Sequence, residues 1–133
     1  MANITVVQND YITILCDTDH KVIQHTIHKP IATDLLITSL DAGIQAMAKY
    51  GATKWLSDDR LNGELSNDDK DWIFNQFPTR AMNAGWKFWA IIVPHEVAGR
   101  ASMVDMVFDY TQRGILTRTF TNPADGKKWL ESL

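Results

Sequence analysis

The chain has 133 residues, 45% of them hydrophobic and 22% charged, with a formal net charge of −3. That length suits one domain with its own core, and that balance excludes a disordered segment or a nucleic-acid binder, which needs clustered Lys and Arg. A single cysteine, Cys16, excludes an internal disulfide framework and a cysteine-based zinc site.

Residues 3–8 and 11–16 are β-branched or aromatic runs separated by the turn pair Asn9-Asp10. A third run, 21–28, is entered through Asp17-Thr18-Asp19-His20. The three predict an antiparallel meander. Pro30 ends it, and Thr33 is positioned to cap a helix beginning at Asp34. Leu36, Leu40, Ile44 and Met47 share one face of that helix with Ile37 alongside, and Gly51 follows where a stop is expected.

Residues 53–57 read as a short strand. Ser66 and Asp69 then fit a capping box, so the acidic run 66–71 opens a helix whose apolar side is Trp72, Ile73 and Phe77. Pro78 predicts a break, with a further short turn from Pro78 to Gly85. Residues 86–93 are apolar on both alternating faces apart from Lys87, the pattern of a central strand covered from both sides.

Pro94 stops that strand. Residues 98–113 return to helical spacing through Met103, Val107 and Tyr110, flanked by Val104 and Phe108, and Gly114 closes them. Residues 115–121 alternate as a strand. Asn122-Pro123 starts a last helix carrying Trp129, Leu130 and Leu133. The order β-β-β-α-β-α-β-α-β-α predicts a single α/β domain over 1–133, with antiparallel strands joined to a parallel portion of sheet.

No stretch is long and apolar enough to span a bilayer, and residues 1–11 lack the pattern of a secretory signal. A cytoplasmic location is expected.

Strands first, then strand–helix alternation, resembles the SpoIIAA-like fold shared by STAS domains (the anti-sigma-factor antagonists) and lipid-binding CRAL-TRIO domains. The strings "KWLSDDR", "AGWKFWAIIVP" and "GILTRTFTNPADGKKWL" are similar to a small bacterial branch of STAS-like proteins. The resemblance implies a regulatory or ligand-binding module without enzymatic activity. The antagonists carry a phosphorylatable Ser in an Asp-Ser-Ser-Gly-type motif after a central strand. The equivalent place here reads Ser57-Asp58-Asp59-Arg60, without that glycine, and Ser57 and Ser66 are the serines nearest it.

Open α/β sheets bind ligands at the carboxyl ends of their strands. Ser57, Asp58, Asp59 and Arg60 fall there, and His95 follows the next strand, so together they form a candidate edge for a small polar ligand or a partner protein. A second reading is a small hydrolase or isomerase using Asp58 or Asp59 with His95 as an acid–base pair. Neither a Gly-x-Ser-x-Gly motif nor a phosphate loop accompanies it. A third is a homodimer, with Trp86 or Trp89 facing the second copy.

His25 and His28 stand three apart in a strand, on opposite faces, so no metal is expected, nor any cofactor. Cys16 reads as a buried small hydrophobe, a nucleophile only if His25 or His28 faces it across the hairpin.

Overall fold

The computed structural model describes residues 3–133, the side chain of Ala98 excepted. Six strands form one mixed sheet in the order β1-β2-β3-β4-β5-β6. They are β1 (Asn3–Gln8), β2 (Ile12–Asp17), β3 (Val22–Ile27), β4 (Lys54–Asp58), β5 (Phe88–Ile92) and β6 (Leu116–Phe120). The first three are antiparallel neighbours, and β3 through β6 are parallel.

Five helical segments complete the fold: α1 (Thr33–Tyr50), α2 (Asn67–Asn75), α3 (Phe77–Asn83), α4 (Val97–Gln112) and α5 (Pro123–Glu131). Strand order advances steadily from β3 to β6, so crossovers of one hand deliver α1, α2, α3 and α4 to the same face. No helix among the described residues is long and apolar enough to cross a membrane.

The larger core lies on that face. Ile12, Ile14, Cys16, Ile23, Ile27, Trp55, Trp89 and Ile91 from the sheet meet Leu36, Leu40, Ile44 and Met47 of α1 and Met103, Met106 and Tyr110 of α4. Trp72, Phe77 and Trp86 join them, with ring centroids from Trp55 to Tyr110 spaced 4.9–6.5 Å in edge-on, tilted and stacked pairs. A smaller core of Val22, Leu56, Ala90, Ile92 and Leu130 sits under α5 on the opposite face. Gly126 allows that close seat, since a Cβ there would stand 3.1 Å from Ile92 Cδ1.

Trp86 and Trp89 are buried within the domain, each 3% exposed, so neither faces a second copy. Both belong to the larger core, Trp86 from just before β5, with ring centroids 5.5 Å apart. On α4 the exposed apolar residues are instead Val97, Val104 and Phe108. They lie seven and four residues apart along one outward stripe, while Met103, Met106 and Tyr110 turn inward.

Local chemistry explains the helix ends. Ser66 Oγ accepts from the Asp69 amide while Asp69 Oδ2 accepts from the Ser66 amide, a complete capping box. Gln76 joins α2 to α3, and Pro78 sits in the first turn of α3, where its missing N–H costs nothing. Asn122 caps α5. Thr33, in contrast, is not a cap: Ala32 occupies that position without a side-chain bond, and Thr33 Oγ1 lies 3.3 Å from Ser66 Oγ. Gly51 takes φ 68° beyond α1, where its N–H reaches the Met47 carbonyl.

One clamp ties α5 to the meander. Asp17 accepts from Lys127 Nζ at 2.8 Å, from His20 Nδ1 at 2.9 Å and from the His20 amide at 3.1 Å. Burial alone would raise the Asp17 pKa, but the Lys127 and His20 hydrogen bonds and the Lys127 charge together hold it well below the usual carboxylate range. The native carboxyl therefore binds fewer protons than the unfolded one. Its contribution is complete above the unfolded value of about 4 and drains away as pH falls further.

Two outcomes follow from these contacts. Asp17→Asn should lower stability at neutral pH by about 1.5–3 kcal/mol, with the deficit shrinking below about pH 4; urea midpoints across that range would read it. Gly43 of α1 faces Trp55, and a Cβ would meet the indole at 2.6 Å. Gly43→Ala should therefore destabilise by about 1–3 kcal/mol, even though alanine is the better helix former by about 1 kcal/mol.

Candidate functional site

All five residues of β4 are buried, and the strand's period of two sends them alternately to the two covered faces. Trp55 and Ser57, followed by Asp59, face the layer of α1 to α4. Lys54, Leu56 and Asp58 face the other way. The residues grouped in the sequence as one edge therefore divide into two sets.

The first set is Asp58, Arg60 and His95, which line one surface cleft together with Thr26, His28 and Leu61. Asp58 is 3% exposed, and Arg60 spans both of its oxygens, Nε to Oδ1 and Nη2 to Oδ2, each at 2.9 Å. The hydrogen bond to Asp58 raises the Arg60 pKa, so the guanidinium stays charged. The His95 amide donates to the Arg60 carbonyl at 3.2 Å, which brings the loop after β5 against the loop after β4.

The second set is Ser57 and Asp59, joined by His25, which lies outside the edge expected from the sequence. Parallel pairing of β3 with β4 places His25 beside Ser57. Here a chain of hydrogen bonds is wired in one direction. Trp55 Nε1 donates to His25 Nδ1 at 2.9 Å, and His25 Nε2 lies 2.7 Å from Asp59 Oδ1.

An indole nitrogen only donates, so Nδ1 must be an acceptor and the ring proton sits on Nε2, donated to Asp59. Beside this chain, Trp89 Nε1 donates to Ser57 Oγ at 2.8 Å. Serine, histidine and aspartate thus stand together, but neither ring nitrogen of His25 is open to take a proton from Ser57.

These groups lie in a cavity of about 60 Å³ between the sheet and the helical layer. Leu36 and Leu40 of α1, Ile73 of α2, Phe77 of α3, and Met103, Met106 and Tyr110 of α4 line it, with Trp55, Trp86 and Trp89. Burial foremost, with Asp109 nearby, pushes the Tyr110 phenol well above its ordinary pKa, and its hydroxyl donates to the Ile73 carbonyl at 2.7 Å.

Asn62, Gly63, Pro94 and Gly99 close the carboxyl end. Gly99 packs tightly there: a Cβ would stand 3.1 Å from Pro94 Cβ and 3.5 Å from the Gly63 carbonyl. The polar groups thus sit at one end of an otherwise apolar space. At about 15 Å³ per probe-sized water, the volume admits a few waters or a small molecule.

The two serines differ sharply. Ser57 is 4% exposed in mid-strand, its hydroxyl turned inward, so it is not presented to a kinase. Ser66 is exposed, with its oxygen engaged in the cap of α2. His28 faces away from His25 and bonds Thr13 at 2.7 Å. Cys16 stands opposite Ile23, not opposite either histidine, and burial followed by the Asp17 charge raises its thiol pKa. That disposes of an activated thiolate.

His25 carries a signal in hindsight: it alternates with Ile23 and Ile27 and so belongs to a buried face. Which partner it would find there depends on β3 lying beside β4, which no local pattern states.

Replacing Trp55 by Phe should orphan His25 Nδ1 at a cost of about 1–3 kcal/mol, read as a lower urea midpoint. Nitrogen-15 spectra of the wild type should show the Nε2–H tautomer. An Nδ1–H signal would contradict the wiring. Comparison with family models, with curated proteins and with solved structures finds no match for this chain.

Proposed function

We propose that this protein is a non-enzymatic binding module of the STAS-like kind, which encloses a small, mostly apolar molecule between its sheet and the α1–α4 layer. The cavity carries the reading: an apolar space with a few convergent polar groups at one end is the usual form of a small-molecule site. Ser57 accepts from Trp89 and keeps its own O–H to donate, and Asp59 offers its carboxylate beside it. A ligand's polar atom would lie at that end, with its body among Trp55, Phe77, Trp89 and Met103.

The cleft at Asp58, Arg60 and His95 supports binding less well, because Asp58 and Arg60 already satisfy one another. The same wiring counts against acid–base catalysis. Asp58 has both oxygens held, Asp59 belongs to the opposite face from Asp58 and His95, and His25 has no open nitrogen. The sequence order and the observed α/β sheet are compatible with the STAS-like resemblance, and a ligand held under the helical layer is one way such a module would be regulated.

Ethanol is a probe small enough for this volume, and the three tryptophans that line the cavity report on it. Titration should give a saturable change in tryptophan emission, and at a hundredfold excess over Kd a stabilisation of about 2.7 kcal/mol. Ser57→Ala should weaken binding roughly tenfold through loss of one hydrogen bond. Emission that drifts linearly with probe, with no gain in stability, would overturn the reading.

A further inference from the structure

We infer that the molecule held in the cavity is a small amine, a short alkyl ammonium whose charge pairs with Asp59. This rests on the cavity being a ligand site, as proposed above, and adds the chemistry of the occupant.

The argument is one of charge. Among the residues lining the cavity Asp59 is the one that carries a formal charge, and neither lysine nor arginine lies among them. Arg60, its neighbour in sequence, is turned to the other face and committed to Asp58 through two hydrogen bonds. His25 supplies no counter-charge either. A protonated imidazole would carry hydrogen on both nitrogens, and Nδ1 would then point its proton at the Trp55 N–H, which itself only donates.

His25 therefore touches Asp59 as a neutral donor. Asp59 Oδ2 accepts no hydrogen bond from any described residue, while Oδ1 is taken by His25. With its side chain 14% exposed and Oδ2 free of other hydrogen bonds, Asp59 keeps one oxygen available to a ligand's cation at the polar end of the cavity.

The walls suit the same occupant. Trp55, Trp86, Trp89, Phe77 and Tyr110 present aromatic surface to the space. Such rings favour a cation near their faces and an apolar or aromatic body against their edges. Ser57 adds a hydroxyl that can turn to complete the ammonium's contacts. An anionic ligand would meet like charge at Asp59, and an alcohol would leave that charge uncompensated.

Ethylamine and ethanol differ by one group at nearly equal volume, and both are small enough for the cavity, so the pair isolates the charge. Tryptophan emission of the whole protein at neutral pH would follow both titrations. Ethylamine should bind at least tenfold more tightly than ethanol, and Asp59→Asn, which keeps the acceptor for His25, should bring it down to the alcohol's level. Equal affinities in the wild type would overturn the amine while leaving the cavity reading intact. A preference that survives Asp59→Asn would overturn the pairing with Asp59. If neither probe saturates, the cavity is not a ligand site and the inference falls with it. The wild-type comparison decides the matter even if the variant fails to fold.

Discussion

Everything at the centre of this protein depends on β4 being covered on both faces. A strand so placed has no water to satisfy its polar side chains, so each must find its own partner within the protein. Lys54 reaches the Leu133 carbonyl at 3.0 Å, Ser57 receives the Trp89 N–H, and Asp58 takes both arms of Arg60. Trp55 solves its own problem by donating to His25. The tryptophans are more than apolar bulk: their N–H groups orient the polar end of the cavity.

This coupling makes packing and polarity inseparable here. Trp55 fills the space against Gly43 of α1, and the same ring sets the tautomer of His25, which in turn holds Asp59. A change of shape on α1 is thereby transmitted to a carboxylate on the far side of the indole. The indole is held edge-on by Phe77 and Trp86, which limits how far it can shift without disturbing its bond to His25.

Much of the fold was legible along the chain because its signals are local. Strand runs ended at turn residues, and the Ser66–Asp69 box, Gly51 and Asn122-Pro123 marked helix ends that the structure keeps. The site was less legible, for two reasons. Grouping Asp58 with Asp59 treated neighbours in sequence as neighbours in space, although period two separates them just as it separates His25 from His28. His25 itself gains its role only from the pairing of β3 with β4, a long-range fact. The outward stripe of Val97, Val104 and Phe108 escaped notice for a related reason: α4 is apolar on more than one side, and spacing alone does not say which side meets the sheet.

The steady strand order has a consequence for how the protein is made. Each strand pairs with the one synthesised just before it, so the sheet can grow in step with the ribosome and needs no late insertion between strands already joined. The face bearing Val22, Leu56, Ala90 and Ile92 is different. It stays bare until α5 has been made, since Leu130 and Trp129 supply its cover. During translation that is the surface on which a nascent chain is most open to aggregation or to a chaperone, and its exposure lasts until the final helix docks.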